Sequence, residues 1–194
     1  MAKKSTRNTR GRIVSAAWKL FYEQGYEDTT VEEIIELSGT SKGSFYHYFD
    51  GKDALLSTLS SLFDEKYEEL TGLLTPEMTA MEQLLFLNRE LFHMIEDSIS
   101  LDLLARLYST QLTTNGEKHL LDHNRIYYKL LRKIIAKGQA EGQLSSRSNV
   151  NEMVKLYALC ERALPYDWCL CAGEYALTEY SAKVLPGFLS SFLP

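Results

Sequence analysis

With 194 residues, 45% hydrophobic content and a net charge of −5, the chain is long enough for a small domain fused to a larger one and too apolar for a disordered polymer. No stretch approaches the roughly 20 uninterrupted apolar residues that a membrane helix needs. The polar start, Met1-Ala2-Lys3-Lys4-Ser5-Thr6-Arg7, lacks a signal-peptide core, and Cys160, Cys169 and Cys171 are too few and too clustered for a disulfide framework, so a cytoplasmic protein is expected.

In chain order almost every segment reads as helix. Ile13, Ala16, Ala17, Leu20 and Phe21 fall on one helical face, and Gly25 ends that helix. Thr30-Val31-Glu32-Glu33 is a capping box that opens a short helix carrying Val31, Ile34, Ile35 and Leu37. Ser38-Gly39-Thr40 is a turn, and Thr40 or Ser41 can cap the next helix, Lys42 to Tyr48. Asp50 is positioned to cap a fourth helix, whose stripe Leu56, Leu59, Phe63, Tyr67, Leu70 and Leu74 predicts about five turns. A fifth helix carries Met81 to Ile95, a sixth runs from Ser100 to Leu112, and Asn115-Gly116 is a loop. Glu117 to Gly138, Val150 to Cys171 and Glu174 to Leu185 complete the set, with Pro186-Gly187 expected to end or kink the last. The expected fold is all-α, about nine helices, with a three-helix N-terminal domain (residues 1–51) before a larger helical domain (52–194).

Charge is uneven along this plan. Residues 1–22 hold Lys3, Lys4, Arg7, Arg10, Arg12 and Lys19 and no acid, so that segment is +6 and the remainder −11. A basic end on an acidic body suits an anionic partner at one end only. Two short helices joined by a Gly-containing turn, behind a longer helix, form a helix-turn-helix, in which the second helix enters the major groove of DNA.

The run Thr29-Thr30-Val31…Ile34…Ser38-Gly39-Thr40-Ser41-Lys42-Gly43-Ser44-Phe45-Tyr46-His47-Tyr48-Phe49…Lys52…Leu55-Leu56 resembles the signature of tetracycline-repressor-type (TetR) regulators. Ala16-Ala17, Leu20-Phe21 and Gly25-Tyr26 extend the resemblance, which covers roughly residues 12–56. Ile35 and Ser38 stand where that family usually has Ala. The resemblance implies a DNA-binding set of Thr29, Thr30, Ser41, Lys42, Gly43, Ser44, Tyr46, His47 and Lys52. The chemistry fits: Thr29 and Thr30 at a helix N-terminus suit a phosphate, Lys42 can donate to guanine, and Tyr46, His47 and Lys52 can donate to phosphates. Phe45 and Phe49 read as core.

For the acidic body the resemblance implies homodimerisation through the last two long helices and a small-molecule effector. Candidate effector residues are Phe86, Arg89, Phe92, His93, Tyr108, Gln111, Tyr127, Tyr128 and Trp168, apolar walls with a few polar groups. His119 and His123 have the spacing of a shared metal, but the one nearby third ligand, Asp122, projects to another side of the helix, and Cys169-Leu170-Cys171 splays its thiols; no metal and no cofactor are expected. Nor is there a nucleophile elbow or phosphate-cradling loop, so an enzyme is not expected. The reading is therefore a transcriptional regulator, a repressor that binds a pseudo-palindromic operator as a homodimer. Effector binding would shift the spacing of the two recognition helices through the fourth helix. The alternative is a ligand-independent DNA-organising or partner-recruiting protein on the same fold.

Overall fold

A computed structural model describes residues 2–113 and 118–194, with side chains from Thr9 onward. Lys3, Lys4 and Arg7 of the basic run, and the Asn115-Gly116 loop, lie outside those descriptions. Every regular element among the described residues is helical: α1 (Ala2–Gln24), α2 (Val31–Ser38), α3 (Lys42–Tyr48), α4 (Lys52–Leu56), α5 (Leu59–Thr71), α6 (Ala80–Ser98), α7 (Leu101–Thr113), α8 (Ile126–Ala140), α9 (Val150–Leu170) and α10 (Leu177–Leu189). Short 3-10 turns lie at His119–Leu121 and Ser190–Phe192.

Contacts divide the chain into two compact units, Met1–Ser61 with Ser98–Gly116, and Leu62–Asp97 with Glu117–Pro194. In the first, α1 packs on α2 and α3 while α4 packs on α7. Its core is Ile13, Ala17, Phe21, Ile34, Phe45 and Phe49, all nearly or fully buried. In the second, α9 packs on α8 and α10. Its core includes Leu84, Leu87, Phe92, Leu131, Ile135, Tyr157 and Leu185.

The expected fourth helix is two helices. Ser57 Oγ donates to the Ala54 carbonyl at 2.7 Å and Thr58 Oγ1 to that of Leu55 at 2.6 Å. Thr58 Oγ1 also accepts from Trp18 Nε1 at 2.9 Å. These hydroxyls compete with the backbone for the carbonyls a continuous helix would use. Its start differs too: Gly51, not Asp50, is the N-cap, with no side-chain cap. Pro186 does not end the last helix, because α10 runs through it to Leu189. His119 and His123 do not share a helix: His119 lies in the 3-10 turn, His123 follows it, and α8 begins only at Ile126. Arg125 is held there by Asp64, its Nη2 donating to Oδ1 at 2.9 Å, with both side chains largely buried.

Gly138 shows how closely the second unit is packed. A Cβ at this position would stand 2.6 Å from Ala80 Cβ and 2.8 Å from Leu144 Cδ1. Helix propensity alone would favour Ala by about 1 kcal/mol. Overpacking should prevail, and Gly138→Ala should lose about 1–3 kcal/mol in urea unfolding. A variant as stable as the parent would refute this packing.

Candidate nucleic-acid interface

The reader begins with a fully formed cap. Thr30 Oγ1 accepts from the Glu33 amide at 3.2 Å, and Glu33 Oε2 accepts from the Thr30 amide at 2.8 Å. The Thr30 amide and hydroxyl hold the Glu33 carboxyl below its ordinary range. Gly39 closes α2 with φ 60°, ψ 37°, a left-handed turn that costs glycine nothing. Ser38, where alanine was the expected type, is buried with its hydroxyl satisfied by the Ile35 carbonyl (3.1 Å) and Thr40 Oγ1 (2.8 Å). It therefore ties the turn. Ile35 is half-buried.

Ser41 is the N-cap of α3, its Oγ accepting from the Ser44 amide at 3.1 Å. Lys42, Gly43, Tyr46 and His47 are exposed and recur at i, i+1, i+4 and i+5, one face of the helix. Phe45 is fully buried on the opposite side and meets the Phe49 ring at 5.9 Å, which fixes that face outward. Ser44 is half-buried and bonded to Ser41 Oγ at 2.9 Å. Nothing lies within 4 Å of a Cβ at Gly43, so the surface there is open to a close approach. Lys42 Nζ meets Glu32 Oε1 at 3.3 Å, but both side chains are about two-thirds exposed, so the pair is weak and exchangeable.

Thr29 and Lys52 are placed differently from the rest of the expected set. Thr29 is buried, its hydroxyl donating to the Gly25 carbonyl at 2.7 Å. Lys52 Nζ donates to the carbonyls of Tyr26 (2.6 Å), Glu27 (3.2 Å) and Thr29 (2.8 Å), which occupies all three of its protons. Both side chains brace the loop that enters α2. The sequence reading missed the centre of that brace, Tyr26. Its ring lies 4.3 Å from Lys52 Nζ and 4.9 Å from Arg106 Cζ, and its hydroxyl bonds Asp53. Burial, then the Asp53 bond, push the phenol well above its usual range. Arg106, on α7, pairs with both Asp102 and Glu27.

The residues expected to meet an effector are divided between the two units. Tyr108 and Gln111 belong to α7, in the reader's unit. In the second unit, Phe86 and Arg89 line a cavity of about 600 Å³ beside α6 and α10. Phe92 is core and His93 exposed. Tyr128 is buried, donates to the Leu120 carbonyl at 3.1 Å and accepts from Arg162. Trp168 Nε1 donates to the Tyr175 carbonyl at 2.8 Å.

Tyr127 is buried beside a residue that the sequence reading passed over, Glu161. This carboxyl accepts from Tyr67 Oη (3.2 Å), Asn88 Nδ2 (3.2 Å) and Tyr157 Oη (3.0 Å). Tyr127 Oη acts on the same carboxyl but makes no hydrogen bond of ordinary geometry. Burial raises the Glu161 pKa, and the four donors oppose that rise. Burial pushes the Cys169 thiol up to about 11 and raises Cys160 as well, while desolvation and the nearby Asp167 raise Cys171. Among the described residues no group of three metal-ligating side chains occurs.

An all-helical chain with a capped helix-turn-helix and an outward-facing second helix is the arrangement of a helix-turn-helix regulator class. Residues 13–59 match the family of bacterial regulatory proteins, tetR family. The regulator TtgR of Pseudomonas putida is 34% identical over 68 residues, 35% of this chain and 32% of that protein. The regulator YvdT of Bacillus subtilis is 26% identical over 147 residues, 75% of each. Thermus thermophilus FadR, a TetR-family repressor solved with lauroyl-CoA, superposes with a TM-score of 0.74 at 26% identity over 95% of both chains. Residues 13–59 are thus similar to the DNA-binding segment of the tetR family, and the fold of the chain is similar to that of a TetR-family repressor. The chain's match spans about a third of the length of the first curated relatives, TtgR among them.

Proposed function

We propose that the protein is a DNA-binding transcriptional regulator, a repressor that acts as a homodimer on a two-fold operator. In this reading residues 1–51 read DNA, supported by α4 and α7, while residues 52–194 dimerise and receive a small-molecule effector. The observation that carries it is the exposed face of α3, Lys42, Gly43, Tyr46 and His47, set by the buried Phe45 and by caps at Thr30 and Ser41. Lys42 with Ser41 and Ser44 supplies base contacts; Thr30, Tyr46 and His47 supply phosphate contacts. Thr29 and Lys52 act one step back, by fixing the backbone that presents Thr30.

Dimerisation has its own support. Leu156, Leu159, Ala163, Tyr166 and Leu170 are exposed on α9 at alternating spacings of three and four, with exposed Tyr180 on the adjoining α10. Such an apolar seam suits a helix pair that meets its own copy. An effector is supported by the cavity of the second unit and by the acyl-CoA held in the Thermus FadR structure.

Selection of bound duplexes from random DNA tests the reading. A palindromic site is expected, with Lys42→Ala weakening binding by about 1–3 kcal/mol and relaxing specificity at one base of each half-site. Enrichment of no site at moderate salt would overturn it.

A further inference from the structure

We propose that Glu32 and Lys42 form one reading unit, a carboxylate and an ammonium held side by side, that selects a guanine–cytosine pair in each half-site of the operator. Glu32 is thereby a specificity-determining residue that the DNA-binding set above does not contain. The inference rests on the regulator reading and names the base pair that the reader takes.

The two acids in the first turn of α2 have different partners. Glu33 Oε2 is committed to the cap, accepting from the Thr30 amide and hydroxyl at 2.8 Å each, and from Gln24 Nε2 at 3.2 Å. Glu32 reaches instead across to α3, where its Oε1 accepts from Lys42 Nζ at 3.3 Å. Lys42 is the first residue of α3, between the Ser41 cap and Gly43, beside which nothing lies within 4 Å of a Cβ. The N-terminal end of a recognition helix is the part that meets base edges, so the ion pair stands on the surface turned to the groove. Both side chains are exposed, and a base edge can therefore join the pair in place of water.

The spacing matches one base pair. In the major groove guanine presents N7 and O6 as acceptors, and cytosine presents its N4 amino group as a donor. O6 and N4 are hydrogen-bonded to each other, about 2.9 Å apart, close to the 3.3 Å between Lys42 Nζ and Glu32 Oε1. An ammonium over N7 and O6 and a carboxylate on the second N4 hydrogen fit side by side, with the ion pair kept. An adenine–thymine pair also sets an amino group beside a carbonyl, but thymine O4 is a single acceptor next to a methyl group.

Charge gives the unit its second property. A lone lysine on a flexible stem is a point charge that any phosphate satisfies, which adds affinity without sequence preference. Glu32 cancels that charge and is itself repelled by phosphates. The unit therefore adds little to non-specific binding, and a wrong base pair leaves its donor and acceptor without partners.

Selection of duplexes from random DNA with the full-length protein, then anisotropy titration of the selected site and its single-pair variants in a salt series, tests the unit. The parent is expected to require guanine–cytosine at the position that Lys42→Ala relaxes. Glu32→Gln should bind non-specific duplex more tightly, with the slope of log affinity against log salt steeper by about one. It should lose about tenfold of discrimination at that position and at no other. Glu36→Gln makes the same change of charge one turn further along the exposed face of α2. It should raise affinity for every duplex alike and leave the preference intact. A preference unchanged in Glu32→Gln, a preference lost equally in Glu36→Gln, or a parent that takes adenine–thymine at that position overturns the proposal and leaves the regulator reading standing. A parent that selects no site removes both.

Discussion

Leu159→Glu is expected to turn the protein into a monomer and, with that, to remove tight operator binding. Leu159 is 57% exposed in the single chain and lies in the α9 seam, with Leu156 and Ala163 on either side along the helix. Burying a leucine contributes about 1.5–3 kcal/mol, and a two-fold contact uses each such residue twice. A carboxylate in its place loses that gain and must also be desolvated beside its symmetry mate. The dimer should weaken by at least about a hundredfold, since each 1.4 kcal/mol is a factor of ten. Sedimentation velocity reads the first effect, and fluorescence anisotropy with a two-fold duplex the second. Tyr22→Glu, on the exposed face of α1, is the control that should leave the oligomer intact. A Leu159→Glu protein that stays dimeric would remove the seam from consideration, whatever its DNA affinity.

The reader was legible because its signals are local. The Thr30–Glu33 box, the αL glycine at 39 and the Ser41 cap each act within a few residues, and all three form as the sequence implies. The break between α4 and α5 was hidden because Ser57 and Thr58 do not interrupt the apolar stripe; their hydroxyls take the carbonyls instead. The start of α8 was hidden for a different reason. Residues 118–125 continue a plausible helical pattern, but Arg125 is drawn to Asp64, 61 residues away.

Distance also explains the two clusters that sequence reasoning missed. Glu161 finds Asn88 and Tyr67 across 73 and 94 residues, so nothing on α9 itself, where it lies among Tyr157, Leu164 and Trp168, names its partners. Arg106 reaches Glu27 across 79 residues. The one available hint was the mismatch itself: an acid on the buried face of a helix requires partners from elsewhere.

Lys52 shows what such tertiary placement changes about function. Its type and position suggested a phosphate contact, yet its ammonium is enclosed by three carbonyls and the Tyr26 ring. Lys52→Met keeps the stem and removes the donors. Hydrogen bonds to a charged group are worth about 1.5–3 kcal/mol each, but this site is half-exposed and water can replace part of the loss, so a net cost of about 2–4 kcal/mol to folding is expected. The loop from Gly25 to Thr30 would loosen, and with it the cap that presents Thr30 to DNA. Operator affinity should then fall about tenfold at every salt concentration, with the slope of log affinity against log salt unchanged. A phosphate contact makes the opposite forecast: the slope drops by about one and thermal stability barely moves. Thermal unfolding and a salt series on one variant therefore decide between a brace and a clamp, and the bonding around Tyr26 favours the brace.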